Sequence, residues 1–171
     1  GADLHHIRPS DASVNSSRGN KKHGDAGSGA KQVKGNNPAT GVLGGTSNGT
    51  YFEPLDNVKG DVARICLYVY VRWNSAWGAD SITEVFESVD VLLEWCELDP
   101  VDTWELSRND VVESVQGNRN VFIDYPEYAW AWFGEDCPDD LVTPSGNADL
   151  VPDASDRPDT PEEPEEPEEP A

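Results

Sequence analysis

Apolar positions recur every three or four residues in the middle of the chain, a spacing that predicts amphipathic helices. The pattern places one helix over about residues 56–73, a second over 81–98 and a third over 102–116. Gly117 is a natural stop for the third helix, and a short aromatic helix is expected over 127–133. These elements predict one domain with a mainly helical core.

The first fifty residues carry a weaker pattern, typical of short elements joined by turns. Residues 3–7 form a short extended piece, and residues 11–19 favour a short helix. Short strands are expected around 32–34 and 51–52, within a stretch rich in glycine. With the helices that follow, these strands predict an α+β fold.

The periodic pattern ends after Gly134. Residues 135–171 hold 14 acidic groups and one arginine, and they close in a run of Pro and Glu. Like charges repel and proline donates no amide hydrogen bond, so we expect a disordered acidic, Pro-rich spacer. The chain is thus divided into a domain over 1–134 and a spacer over 135–171.

Charge is distributed unevenly in a chain whose formal net charge is −21. That sign argues against nucleic-acid binding by overall electrostatic attraction. Residues 1–40 nevertheless carry six basic and three acidic side chains, which leaves room for a small phosphate site. The alternative is that these basic side chains form a solvent-exposed surface that binds no ligand. No apolar run approaches the roughly 18 residues of a membrane span.

Cys66, Cys96 and Cys137 are an odd number of cysteines without metal-ligand spacing. Cys66 and Cys96 fall on apolar faces of the first two predicted helices, so buried free thiols are expected. A disulfide between those helices is the alternative.

The residues with the strongest chemical potential lie near the start of the chain: His5, His6, Arg8, Asn15 and Arg18. Phosphodiester hydrolysis needs a base for water, a cation beside the phosphate, and donors that hold the phosphate. Imidazole, an amide oxygen and guanidinium suit these three tasks. In a strand His5 and His6 would point to opposite faces, so at most one could share a site with Asn15. The alternatives are a hydrogen-bonded histidine pair and a capping or surface asparagine.

Several ungapped motifs are similar, in order, to those of the bacterial endonuclease I family of extracellular and periplasmic nucleases. The first are Asp3-Leu4-His5-His6-Ile7-Arg8-Pro9 and Asn15-Ser16-Ser17-Arg18. The further matching segments are residues 52–64, 92–95, 99–101, 108–109 and 116–124. The resemblance covers about residues 2–134.

The resemblance implies a metal-dependent, non-specific endonuclease of the ββα-metal fold that cleaves DNA and, in many members, RNA. Two strands and a helix of that fold hold one divalent cation, with Mg²⁺ expected first and Ca²⁺ or Mn²⁺ as alternatives. Asn15 matches the metal-binding asparagine. His5 matches a site-shaping histidine, with His6 beside it as a second catalytic candidate, and Arg18 matches a phosphate contact.

The chain departs from the family at its start, because members carry a Glu-His pair upstream that supplies a metal ligand and the general base. We therefore expect an incomplete domain with little activity of its own, from a secreted monomer with cell-surface attachment as an option. One alternative is a catalytically inactive nucleic-acid- or cell-surface-binding module. Another is a structural surface protein whose function lies in the acidic spacer.

Further contacts to nucleic acid are expected from Arg8, Lys59, Arg64 and Arg119. Lys59 and Arg64 flank the start of the first long helix, where cationic side chains can reach phosphate. The alternative for these two is pairing with nearby acidic side chains. Arg119 lies in a polar stretch that can equally stabilise the fold through hydrogen bonds.

Overall fold

A four-stranded mixed sheet lies beside a bundle of helices in the computed structural model, which describes residues 3–36, 43–77 and 81–146. The architecture is α+β, as the sequence predicts. The sheet order is β1-β4-β3-β2, with β1 and β4 parallel and the other pairs antiparallel. The elements are α1 (Ala12–Arg18), β1 (Lys22–His23), β2 (Lys31–Lys34), β3 (Leu43–Ser47), β4 (Tyr51–Glu53), α2 (Lys59–Trp77), α3 (Val89–Leu98), α4 (Thr103–Gln116), α5 (Val121–Asp124) and α6 (Tyr128–Phe133).

The short helix α1 is held at both ends and packs directly on the sheet. The carboxylate of Asp11 caps its start by accepting hydrogen bonds from the backbone N–H groups of Ser13 and Val14. Gly19 ends it with a positive φ of 53°. A Cβ atom added to Gly44 on β3 would lie 2.4 Å from a methyl carbon of Val14, so the sheet and helix approach closely there. This contact fixes the face that α1 presents away from the sheet.

The hydrophobic core is built around α2, which packs against α3 and α5. Phe86 and Trp95 meet edge to face in it, with ring centroids 5.0 Å apart. The other fully or almost fully buried members are Ala63, Leu67, Ile82, Leu92, Cys96 and Ala129. The predicted first and third helices are confirmed, and α2 extends to Trp77.

Residues 3–7 are not a strand, which corrects the expectation from the sequence. The backbone turns at Leu4–His6, because local hydrogen bonds compete with extended pairing. His5 N–H donates to the Asp3 carboxylate over 3.0 Å, and the Tyr68 hydroxyl donates to the same group over 2.9 Å. Arg108 donates to the Leu4 carbonyl oxygen and further fixes the turn.

The second long helix begins at Val89 and not at residue 81. Residues 82–84 form a 3₁₀ turn, and Ser88 caps α3. The intervening backbone is used by β1, because His23 N–H donates to the Val85 carbonyl and Glu87 N–H donates to that of His23. The side chain of Val85 is 43% exposed.

Part of the segment that follows Gly134 packs on the helical core. Leu141 lies in the core at 8% exposure, and the Ser145 hydroxyl donates to the Glu127 carboxylate over 2.9 Å. Through these contacts, residues of the described part of the acidic segment pack against the domain. The remainder of the predicted spacer, residues 147–171, lies outside the described residues.

The thiols of Cys66, Cys96 and Cys137 are free, as expected for the first two, and Cys96 is buried whereas Cys66 and Cys137 are half-buried. Burial raises the pKa of the Cys66 and Cys96 thiols to about 12, which keeps them protonated near neutral pH. Across the described ranges, every helix is too short or too polar to cross a membrane.

Candidate functional site

A cavity of about 480 Å³ opens between α1 and α2. Its size falls within the range of small-ligand sites. One wall carries six polar side chains from the first part of the chain: His6, Arg8, Ser10, Asn15, Arg18 and His23. Ser81 and Glu84 also line the cavity. The floor is the apolar face of α2, formed by Val62, Ile65, Cys66, Val69 and Tyr70. The cavity thus pairs cationic and hydrogen-bonding groups with a low-dielectric floor.

Arg8 provides a cation without an internal acceptor. Its guanidinium carbon lies 4.5 Å from the ring centroid of Trp104, a cation–π contact. Both Nη atoms are buried and make no hydrogen bond to any described residue. Burial, and then the neighbouring charge of Arg108, lower the pKa of Arg8 against the raising effect of the nearby Asp61 and Glu105 carboxylates. A desolvated guanidinium without an acceptor favours an anionic ligand.

Asn15 and Arg18 share one face of α1, because side chains three residues apart on a helix are neighbours. Asn15 is exposed in the cavity, and its side chain makes no hydrogen bond within the described ranges. Arg18 donates from Nη1 to the Gly19 carbonyl over 3.2 Å, while its buried Nε makes no hydrogen bond to any described residue. The amide oxygen of Asn15 and the guanidinium of Arg18 therefore lie in the same cavity.

The two adjacent histidines lie in a turn and have different surroundings. His6 is exposed and lines the cavity. His5 lies behind it at 1% exposure, 4.7 Å from the Tyr68 ring, with its Nε2 3.0 Å from the Asn118 carbonyl oxygen. Burial lowers the pKa of His5. Its contacts fix the turn that carries His6 and Arg8.

His23 also lines the cavity, although it is not among the site residues predicted from the sequence. Its ring centroid lies 6.2 Å from both Phe52 and Phe86, and its Nδ1 is buried without a hydrogen bond to any described residue. Burial, then the charge of Arg18, lower its pKa to about 4. The backbone pairing of His23 with residues 85–87 brings it to the cavity, and the neighbouring sequence does not indicate that pairing.

Three of the expected nucleic-acid contacts lie outside the cavity and are engaged in ion pairs. The Lys59 ammonium lies 2.9 Å from carboxylate oxygens of both Glu53 and Asp56. Arg64 is fully buried on Glu105. The Arg119 guanidinium contacts the carboxylates of Asp110, Glu113 and Asp124 over 2.7–2.8 Å. These placements favour the structural alternative for all three residues.

The described residues fit a divalent cation only in part. They hold no group of three or more histidine, cysteine, aspartate or glutamate side chains that could bind a metal ion. The amide oxygen of Asn15 is a suitable hard ligand, but Arg8 and Arg18 on the same wall disfavour a cation that arrives without an anion. An ion at this wall would need water and substrate oxygens to complete its shell.

The chain is thus an α+β domain whose cavity carries two guanidinium groups, two imidazoles and one carboxylate, that of Glu84. Residues 1–127 match the family described as Endonuclease I, and the chain belongs to that family. It is 39% identical over 140 residues to the extracellular ribonuclease of Bacillus amyloliquefaciens, which covers 75% of this chain and 45% of the relative. The extracellular ribonuclease of Bacillus subtilis (strain 168) is also 39% identical over 140 residues, covering 75% of this chain and 46% of the relative. The chain thus spans less than half the length of these relatives, and no solved structure matches it.

Proposed function

We propose that this domain binds nucleic acid at the cavity between α1 and α2 and takes part in phosphodiester hydrolysis. The observation that carries the proposal is the convergence of Arg8, Arg18 and His23, each with a buried nitrogen that makes no hydrogen bond to any described residue. Membership of the Endonuclease I family supports this reading. The names of the two relatives favour RNA as a substrate beside DNA, and secretion of the protein.

The chain's own residues would act on the phosphate and on protons. Arg8 and Arg18 hold non-bridging phosphate oxygens, and their charge counts for more as negative charge develops in the transition state. His6 is the exposed imidazole at the cavity, placed to exchange a proton with water or with a leaving oxygen. The buried His5 fixes the turn that carries His6 and Arg8. The neutral ring of His23 offers Nδ1 to water or phosphate from the inner end.

A divalent cation belongs to the proposal, with Mg²⁺ first and Ca²⁺ or Mn²⁺ as alternatives. Asn15 would be its amide ligand, and substrate oxygens and water commonly complete the shell of Mg²⁺. Such an ion neutralises charge on the phosphate when bound. Because the described cavity lining offers only the Glu84 carboxylate beside Asn15 and no cluster of metal-binding side chains, we expect this chain alone to cleave slowly.

One observation favours a second candidate, a nucleic-acid-binding module without catalytic activity. The cation site is incomplete among the described residues, whereas the phosphate-binding groups are present. A binder would retain tight, salt-dependent association and show no cleavage with any divalent metal.

Cleavage of labelled single-stranded RNA and of plasmid DNA by the natural protein that carries this domain tests the proposal. We expect activity that requires Mg²⁺, stops with EDTA, and falls at least about 100-fold in Asn15→Ala, as for loss of one stabilising group. Arg72→Gln is the matched control, since Arg72 is 50% exposed and lies outside the cavity lining. Cleavage in EDTA, or full activity of Asn15→Ala, would refute the metal-dependent mechanism.

A further inference from the structure

A second concave surface lies on the other side of α1, and we call it the lysine groove. It is an open groove of about 590 Å³. Its lining residues are Ser17, Lys21, Gly29, Lys31, Gln32, Val33, Lys34, Ser47, Asn48 and Gly49. The lining includes three lysines and no acidic side chain, in a chain whose net charge is −21.

The cations of the lysine groove are available for a ligand. Lys31 and Lys34 lie on β2 with exposed side chains, and neither makes an ion pair within the described part of the chain. Lys21 donates from Nζ to the Ser17 carbonyl oxygen over 2.5 Å, which directs its ammonium along the end of α1. An ammonium bound to a carbonyl keeps two further donors and its full charge.

Helix α1 separates the lysine groove from the cavity. Asn15 and Arg18 line the cavity, while Ser17 lines the groove. The Ser13 hydroxyl donates to the Lys34 carbonyl oxygen over 2.9 Å and fixes β2 against the helix. A helix with its side chains is about 10–12 Å across. A chain of phosphates could therefore occupy both surfaces by crossing one short helix, a distance of a few nucleotides.

We propose that the lysine groove holds the backbone phosphates of a nucleic-acid strand next to the segment bound in the cavity. The occupant follows from charge complementarity, because an acidic protein repels a polyanion everywhere except at its basic surfaces. The identification of the ligand as nucleic acid rests on the proposed function, whereas the presence of three lysines in the groove does not depend on it. Lysine contacts to phosphate add affinity without sequence preference.

Binding of a fluorescent single-stranded oligonucleotide of about 20 nucleotides to this chain, in EDTA and over a series of salt concentrations, tests the inference. Each phosphate contact on a single strand contributes about 0.7 to the slope of log affinity against log salt concentration. We expect Lys31→Gln/Lys34→Gln to lower that slope by about 1.4 and to weaken binding at low salt at least about fivefold. Each single lysine variant should produce about half the change in slope.

Arg72→Gln is again the control, because it removes one exposed positive charge outside both concave surfaces. It should leave the slope and affinity unchanged. Equal slopes for the double lysine variant and the unsubstituted chain would overturn the inference. The two proposals fail separately, because the salt slope in EDTA tests only the lysine groove, whereas cleavage by Asn15→Ala in Mg²⁺ tests only the nuclease mechanism.

Discussion

Arg64 and Glu105 form a bidentate ion pair in the interior of the fold. Arg64 Nε donates to one carboxylate oxygen over 3.0 Å and Nη2 donates to the other over 2.5 Å, and both side chains are 1% exposed. Nη1 donates to the Asp99 carbonyl oxygen over 2.9 Å. Burial alone would lower the pKa of Arg64, but the hydrogen bonds and charge of Glu105 outweigh it and the pKa is raised. The pair joins α2, α4 and the end of α3.

Removing one partner of this pair should be strongly destabilising, because the buried charge of Arg64 then has only Asp61, at 3.7 Å, to offset it. We expect Glu105→Gln to lower the free energy of unfolding by about 3–5 kcal/mol, measured by urea denaturation. Arg72→Gln provides the comparison, since the exposed contact of Arg72 with Asp3 is 3.8 Å long and should contribute less than about 1 kcal/mol. Similar losses for the two variants would contradict the structural role assigned to Arg64.

Much of the helical architecture could be predicted from the sequence, because periodic apolar faces and terminal residues act locally. Asp102 caps α4, and Gly117 ends it in a left-handed conformation with a φ of 79°. Residues 81–88 could not be assigned correctly, since their apolar positions also fit a helix. The deciding interaction is a backbone pairing of residues 85–87 with His23, far away in the sequence.

The candidate site could be predicted only where the residues lie close together in the sequence. His6, Arg8, Asn15 and Arg18 all line the cavity because one turn and one short helix carry them. His23 reaches the cavity through strand pairing, which leaves no local signal.

Gly60 occupies a position that no other residue can enter without displacing backbone. A Cβ atom there would lie 2.0 Å from the Asp99 carbonyl oxygen and 2.8 Å from both terminal nitrogens of Arg64. We expect Gly60→Ala to lower the free energy of unfolding by at least about 1–3 kcal/mol, the usual cost of overpacking. Gly49→Ala is the control, since nothing lies within 4 Å of its added Cβ. Thermal denaturation of both variants would show the difference, and an unaffected Gly60→Ala would contradict this packing.

His23 should make the protein less stable in acid. Its folded pKa of about 4, lowered by burial and by Arg18, lies below the ordinary value of 6.5. Between these values the unfolded chain binds more protons, so the free energy of unfolding falls as the pH drops, by at most about 1.4 kcal/mol per unit. His23→Phe should reduce this loss between pH 6.5 and 4 in urea titrations. An unchanged pH dependence would show that the imidazole is not buried in its neutral form.

Asp61, unlike His23, should make the protein more stable as the pH falls from about 7 to 4. Burial, then the charge and hydrogen bond of Glu105, raise its pKa to about 7 from an ordinary value of 3.8, against the lowering effect of Arg8 and Arg64. The folded state binds the extra proton between those values, so this group makes stability fall as the pH rises from about 4 to 7. Asp61→Asn should therefore lose more stability on acidification than the unsubstituted chain. Parallel stability curves for Asp61→Asn and the unsubstituted chain would contradict the shared burial of Asp61 and Glu105.

Trp104 should contribute to ligand binding through Arg8, although it lies outside the cavity lining. The indole is 52% exposed and lies 4.5 Å from the Arg8 guanidinium carbon, a cation–π geometry that holds the cation in place. An exposed contact of this kind is worth about 0.5–1 kcal/mol, so Trp104→Ala should weaken oligonucleotide binding in EDTA about two- to fivefold. Trp132→Ala removes a similarly exposed indole, at 50%, without a contact to Arg8 and serves as the control. Equal affinities for the two variants would show that Arg8 does not depend on Trp104 for its position.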